Sequence, residues 1–166
     1  MKVLATGPEV VARARTASGR GIKYAMGLGG MKPDLEIPGL NCDCTGFCAW
    51  ANRVSRYVEK WNPMYELGDW FESTVIVRDA KSPFGFVDLV PMKLARPGML
   101  FVWGDVKGRS GHAGIITEVA AAGPVRVIHC SRGNEKAYGD AVYETDAGIF
   151  YRNGAIVARL GFVDYV

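Results

Sequence analysis

Strand-like runs crowd the second half of this chain, while helical spacing is confined to its first part, and that division limits the folds open to it. Gly98–Trp103, His112–Val119 and Val125–Cys130 are apolar or alternating runs, bounded by Pro97-Gly98, Gly104-Asp105 and Gly123-Pro124. Ala141–Thr145, Ile149–Arg152 and Ala155–Val163 read as later strands, with Asn153-Gly154 as a hairpin turn between the last two. Ahead of them, Thr6-Gly7-Pro8-Glu9 has capping-box form, and Val10, Val11, Ala14 and Ala17 fall on one helical face. That spacing predicts a helix to about Ser18, stopped by Gly19 and Gly21. A second helix is predicted from Cys44, with Phe47, Cys48, Ala51 and Val54 on its buried face. Asp69 to Ala80 has the length of a third helix, but its run Ser73-Thr74-Val75-Ile76-Val77 favours strand. Helices first and antiparallel strands after them predict an α+β fold.

The 166 residues fit one domain, spanning residues 1–166, with 49% apolar and 22% charged residues giving a globular profile. Lys2, Arg13, Arg15 and Arg20 against Glu9 put the net charge of +3 in the first twenty residues. Such isolated charges read as a solvated helix face. No stripe of basic and aromatic residues is present, which argues against nucleic acid as a partner. No apolar stretch approaches the ~18 residues of a membrane span, and no signal-peptide pattern opens the chain. The expected location is cytoplasmic, or outside the cell after lysis or through a dedicated secretion system. Cys42, Cys44, Cys48 and Cys130 are too few and too clustered for a secreted disulfide framework.

The chain has only two histidines, His112 and His129, each in a strand-like run, and Cys44 sits at a predicted helix start. A thiol, a base and a base-orienting group are the components of a cysteine nucleophile system. Unpaired N–H groups and the positive dipole end at the helix start favour thiolate at Cys44. Asn41-Cys42-Asp43 suits a cap, and Gly46 leaves space in the first turn for a substrate backbone. His112 opens its strand between small residues, and the alternation His112, Gly114, Ile116 gives the ring an open side. His129 on a neighbouring antiparallel strand is placed to fix the tautomer of His112. Cys48 and Cys130 read as small buried hydrophobes. Trp50, Trp61, Trp70 and Trp103 read as core packing rather than a glycan groove.

Asp43-Cys44-Thr45-Gly46-Phe47 resembles the Asp-Cys-Ser-Gly-Phe signature of the NlpC/P60 cysteine peptidases. Upstream, Gly21-Ile22-Lys23-Tyr24 through Gly29-Gly30 is similar to that family's Gly-x-x-Tyr…Gly-Gly entry. Arg96-Pro97-Gly98-Met99-Leu100 resembles its Pro-Gly-Asp-Leu strand, Gly111-His112-Ala113-Gly114-Ile115 its His-Val-Gly-Ile motif, and Ile128-His129 its third catalytic position. The matches follow family order across about residues 8–135.

The resemblance implies a papain-like NlpC/P60 fold, with N-terminal helices packed on an antiparallel β-sheet. It also implies hydrolysis of peptide bonds in bacterial peptidoglycan stem peptides, often next to D-γ-glutamyl, without a cofactor. Carried over, Cys44 is the nucleophile, His112 the general base and His129 the orienting residue. Tyr24 lines the site near the oxyanion, and Asp43 and Thr45 meet the free amine of a stem peptide. Thr45 departs from the usual Ser and Met99 from the usual Asp. The long spacings from Tyr24 to Cys44 and from His112 to His129 imply enlarged loops beside the cleft. Competing readings are a CHAP-like amidase, an acyltransferase or lipid hydrolase on a related scaffold, and an idle binding protein. A zinc module is a further rival, drawing on Cys42, Cys44 and Cys48 with Cys130 or His129, although that spacing is not a standard knuckle.

Overall fold

A computed structural model of the protein describes residues 2–57 and 71–166. The chain begins with β1 (Ala5–Thr6) and α1 (Gly7–Thr16). The capping box forms as its sequence predicts: Thr6 accepts from the Glu9 N–H, and Glu9 answers the Thr6 N–H at 2.7 Å. Val10, Val11 and Ala14 are the buried stripe of α1. Two short strands, β2 (Lys23–Tyr24) and β3 (Asn41–Cys42), pair in parallel across the loop that separates them. They deliver the chain to α2 (Cys44–Ala51), all of whose residues are buried.

Next comes α3 (Ser73–Ala80), a helix in spite of its β-branched run. Glu72 accepts from the Thr74 and Val75 N–H groups at 3.0 and 2.6 Å, and Val75, Ile76, Asp79 and Ala80 form one buried face. Cap and burial together outweigh local strand preference. The start proposed for this element at Asp69 lies outside the described residues, as do Trp61 and Trp70.

The remaining elements are β4 (Val87–Val90), β5 (Leu100–Trp103), β6 (His112–Ala120), β7 (Gly123–Cys130), α4 (Arg132–Tyr138), β8 (Val142–Asp146), α5 (Gly148–Arg152), β9 (Ile156–Leu160) and β10 (Val163–Asp164). Six strands form one antiparallel sheet in the order β4-β9-β5-β6-β7-β8, and β10 returns to pair in parallel with β1. The fold is mixed α+β, with this sheet and five α-helices among the described residues. Helices α1 and α2 pack on β6, α2 also on β7, and α3 on β4, β5 and β9. Leu100, Phe101, Ile115, Ile116, Val127 and Ile128 fill the core between them and are all but fully buried. Trp50 and Trp103 belong to the same core. Among the described residues no helix is long and apolar enough to cross a membrane.

Two sequence expectations change in this region. Ile149–Arg152 is not a strand but most of α5, and Asn153-Gly154 turns from that helix into β9 rather than joining two strands. The long His112–His129 spacing is not an enlarged loop. It is the hairpin of β6 and β7, whose strands run to Ala120 and from Gly123. The α4 helix, capped by the Ser131 side chain and closed by Gly139 at φ 76°, and the edge strand β4 carry no counterpart in the sequence reading.

Candidate functional site

Asp43 makes the start of α2 a defined place. Its Oδ1 accepts from the Gly46 N–H at 2.8 Å and from Arg56 at 2.9 Å. Its Oδ2 accepts from the Gly27 N–H at 2.7 Å and again from Arg56 at 2.9 Å. Thr45 Oγ1 lies 3.3 Å from both Asp43 Oδ1 and Arg56. Arg56 also donates to the Leu28 carbonyl at 2.7 Å, so one guanidinium ties the cap to the Gly27–Gly30 turn. The space beside Gly46 is filled by that turn: a methyl group there would sit 2.6 Å from the Gly29 carbonyl and 2.8 Å from Arg56. Gly46 therefore admits the protein's own backbone rather than a substrate's.

Cys44 follows the cap and is 7% exposed. It lines a cleft of about 190 Å³ whose walls also include Tyr24, Asp43, Thr45, Arg56, Glu72 and Asp105. A larger groove of about 740 Å³ runs along β4 and the Val163–Tyr165 segment, and contains none of the cysteine or histidine side chains. Burial first, and the Asp43 carboxylate second, push the Cys44 thiol up to about 12. The backbone N–H groups of Ala113 and Thr45, with Arg56, act in the opposite direction and are outweighed. The expected thiolate is thus not the resting form, because the site is too dry for an uncompensated charge. Helix α2, which Cys44 opens, packs on β6.

His112 opens β6, and its register with β7 sets it diagonally across from His129 on one face of the sheet. His112 Nε2 lies 2.8 Å from His129 Nδ1, with the rings at 85°. His129 Nε2 lies 3.0 Å from Thr145 Oγ1 on β8. Phe150 of α5 packs against both imidazoles, at centroid distances of 5.5 and 5.3 Å, and Trp103 flanks His112 at 5.1 Å. The side of His112 expected to be open at Gly114 is occupied: a methyl group there would lie 2.8 Å from Phe150 Cζ and 3.0 Å from His129 Cβ. Burial, then the neighbouring His129, push His112 well below its ordinary value, and burial alone brings His129 to about 4. Both rings are neutral at pH 7, and the Cys44 thiol keeps its proton.

Tyr24 is half-buried in the cleft wall, and burial, then Cys44 and Asp43, raise its phenol to about 12. It is a neutral hydroxyl at physiological pH. Asp43 and Thr45 border the cleft, but their oxygens are engaged by Arg56 and by each other. Cys42, Cys48 and Cys130 are buried free thiols, with Cys130 donating to the Cys42 carbonyl at 3.3 Å. Among the described residues no group of three or more His, Cys, Asp or Glu side chains is arranged to hold a metal ion.

The chain matches no family model and no curated protein.

Arg56, Thr145 and Phe150 complete the site and were not singled out from the sequence. Arg56 and Thr145 become visible only through partners that folding brings to them. Phe150 lies in a segment whose β-branched and aromatic residues imitate a strand.

Proposed function

We propose that the protein is a cysteine hydrolase with a papain-like NlpC/P60 fold, cleaving peptide bonds in bacterial peptidoglycan stem peptides. The observation that carries this reading is the 2.8 Å contact between the two imidazoles, formed at the start of the strand on which the Cys44 helix packs. The ordered motifs around Tyr24, Cys44, Met99, His112 and His129 supply the substrate class by resemblance.

In this mechanism His112 takes the Cys44 proton as sulfur adds to the scissile carbonyl, so a charged sulfur need never persist in the dry cleft. Backbone N–H groups at the start of α2 that lack intrahelical partners hold the oxyanion. As the carbon–nitrogen bond breaks, His112 passes the proton to the departing amine, leaving a thioester. Water then gives one proton to His112 and its hydroxyl to the acyl carbon. The acid departs and the proton returns to sulfur.

The test is a digest of purified peptidoglycan, analysed by mass, with the wild type and Cys44→Ala. Release of fragments cut after D-γ-glutamyl by the wild type alone supports the reading. Equal rates for the two proteins dismiss Cys44 as nucleophile, and cleavage between lactyl and L-Ala assigns amidase chemistry instead.

A further inference from the structure

We infer that Thr145 is a positioning residue whose hydroxyl sets the tautomer of both histidines, making His112 Nδ1 the proton acceptor for Cys44. This rests on the hydrolase reading for its chemical meaning, but the tautomers themselves follow from the geometry alone.

A threonine hydroxyl has a single proton to donate. Thr145 Oγ1 lies 3.0 Å from the Asp146 carbonyl oxygen, which accepts and cannot donate, so the proton is committed there. The same Oγ1 lies 3.0 Å from His129 Nε2 and meets it with a lone pair. His129 must then carry its hydrogen on Nε2, which leaves Nδ1 bare. That bare nitrogen lies 2.8 Å from His112 Nε2, which therefore holds the hydrogen and donates it. A neutral imidazole has one N–H, so His112 Nδ1 is an acceptor. Nδ1 is the ring nitrogen nearer the backbone, and the helix that carries Cys44 packs on the strand that His112 opens. The burial that keeps both rings neutral keeps this assignment in force at physiological pH.

The sheet builds this chain of protons deliberately. His129 pairs with Tyr143 across β7 and β8, and Thr145 lies two residues further along β8, on the same face. Reversing the threonine hydroxyl would reverse every link: His129 would hold Nδ1–H, His112 would hold Nδ1–H, and a donor would confront a thiol that needs an acceptor.

The experiment uses protein with ¹⁵N-labelled histidine, in which only two imidazoles contribute signals. At pH 7 the imidazole nitrogen spectrum of the wild type shows Nε2–H for both rings. Thr145→Val, which keeps the shape and removes the acceptor, moves at least one ring to Nδ1–H or to a mixture. It also lowers kcat on stem peptide at least tenfold with KM within twofold, and Thr145→Ser restores both the spectrum and the rate. Nδ1–H on His112 in the wild type overturns the inference, as does a Thr145→Val protein with unchanged tautomers and full rate. If Thr145→Val does not fold, the wild-type and Thr145→Ser spectra decide. Tautomers as assigned in a wild type that hydrolyses no stem peptide uphold the positioning and refute the hydrolase reading.

Discussion

Arg56 grips both oxygens of Asp43 through parallel hydrogen bonds of 2.9 Å, one residue before the candidate nucleophile. Both side chains are almost wholly out of solvent, at 2% and 7% exposure. Removing one member of such a pair strands the other charge in a dry interior and costs about 3–5 kcal/mol. Arg56→Met is expected to fall in that range by denaturant unfolding. Asp43→Asn, which keeps a cap oxygen, costs less. The double variant recovers part of the Arg56→Met loss. A loss below about 1 kcal/mol for Arg56→Met would show that the pair does not anchor the helix start.

A thiol raised to about 12 predicts a distinctive alkylation profile. Iodoacetamide labelling of Cys44 is slow at pH 7 and accelerates close to tenfold per pH unit into the alkaline range, since only thiolate reacts. A preformed thiolate–imidazolium pair would instead give a plateau from mildly acidic to neutral pH. Mass-resolved labelling rates between pH 5 and 10 distinguish the two, with Cys44→Ala as the blank.

His129 makes stability depend on pH in a definite direction. Its folded value near 4 lies below the ordinary 6.5, so between these values the unfolded chain binds more protons than the folded one. The contribution is complete above about pH 6.5 and is lost as pH falls toward 4, amounting to on the order of 3 kcal/mol. Thermal midpoints measured across pH 7 to 4 are expected to fall, and to fall less steeply in His129→Gln. Equal slopes for the two proteins would remove this residue as the cause.

What could be read from the sequence was whatever neighbouring residues settle among themselves. The Thr6–Glu9 capping box and the Asp43 cap of α2 close within one turn, so their residue types announce them. The β-rich runs of β6 and β7, set off by Gly104-Asp105 and Gly123-Pro124, place both histidines on strands. Where distant packing decides, local signals mislead. Ser73–Ala80 is strand-forming by composition and helical because Glu72 caps it and Val75 and Ile76 find the sheet. Ile149–Arg152 is helical because Phe150 docks beneath the imidazoles. The resting state of Cys44 escapes the sequence for a related reason: a helix start is visible there, but the dryness around it is created by residues far along the chain.

Thr145 rides on β8, the outermost strand of the sheet on its side. Border strands surrender their pairing before central ones do, because half of their backbone partners are missing. The component that loosens earliest on warming is accordingly the far end of the imidazole chain. On the proposed hydrolase reading, activity would fall silent while most of the architecture still stands, and would revive on cooling without refolding.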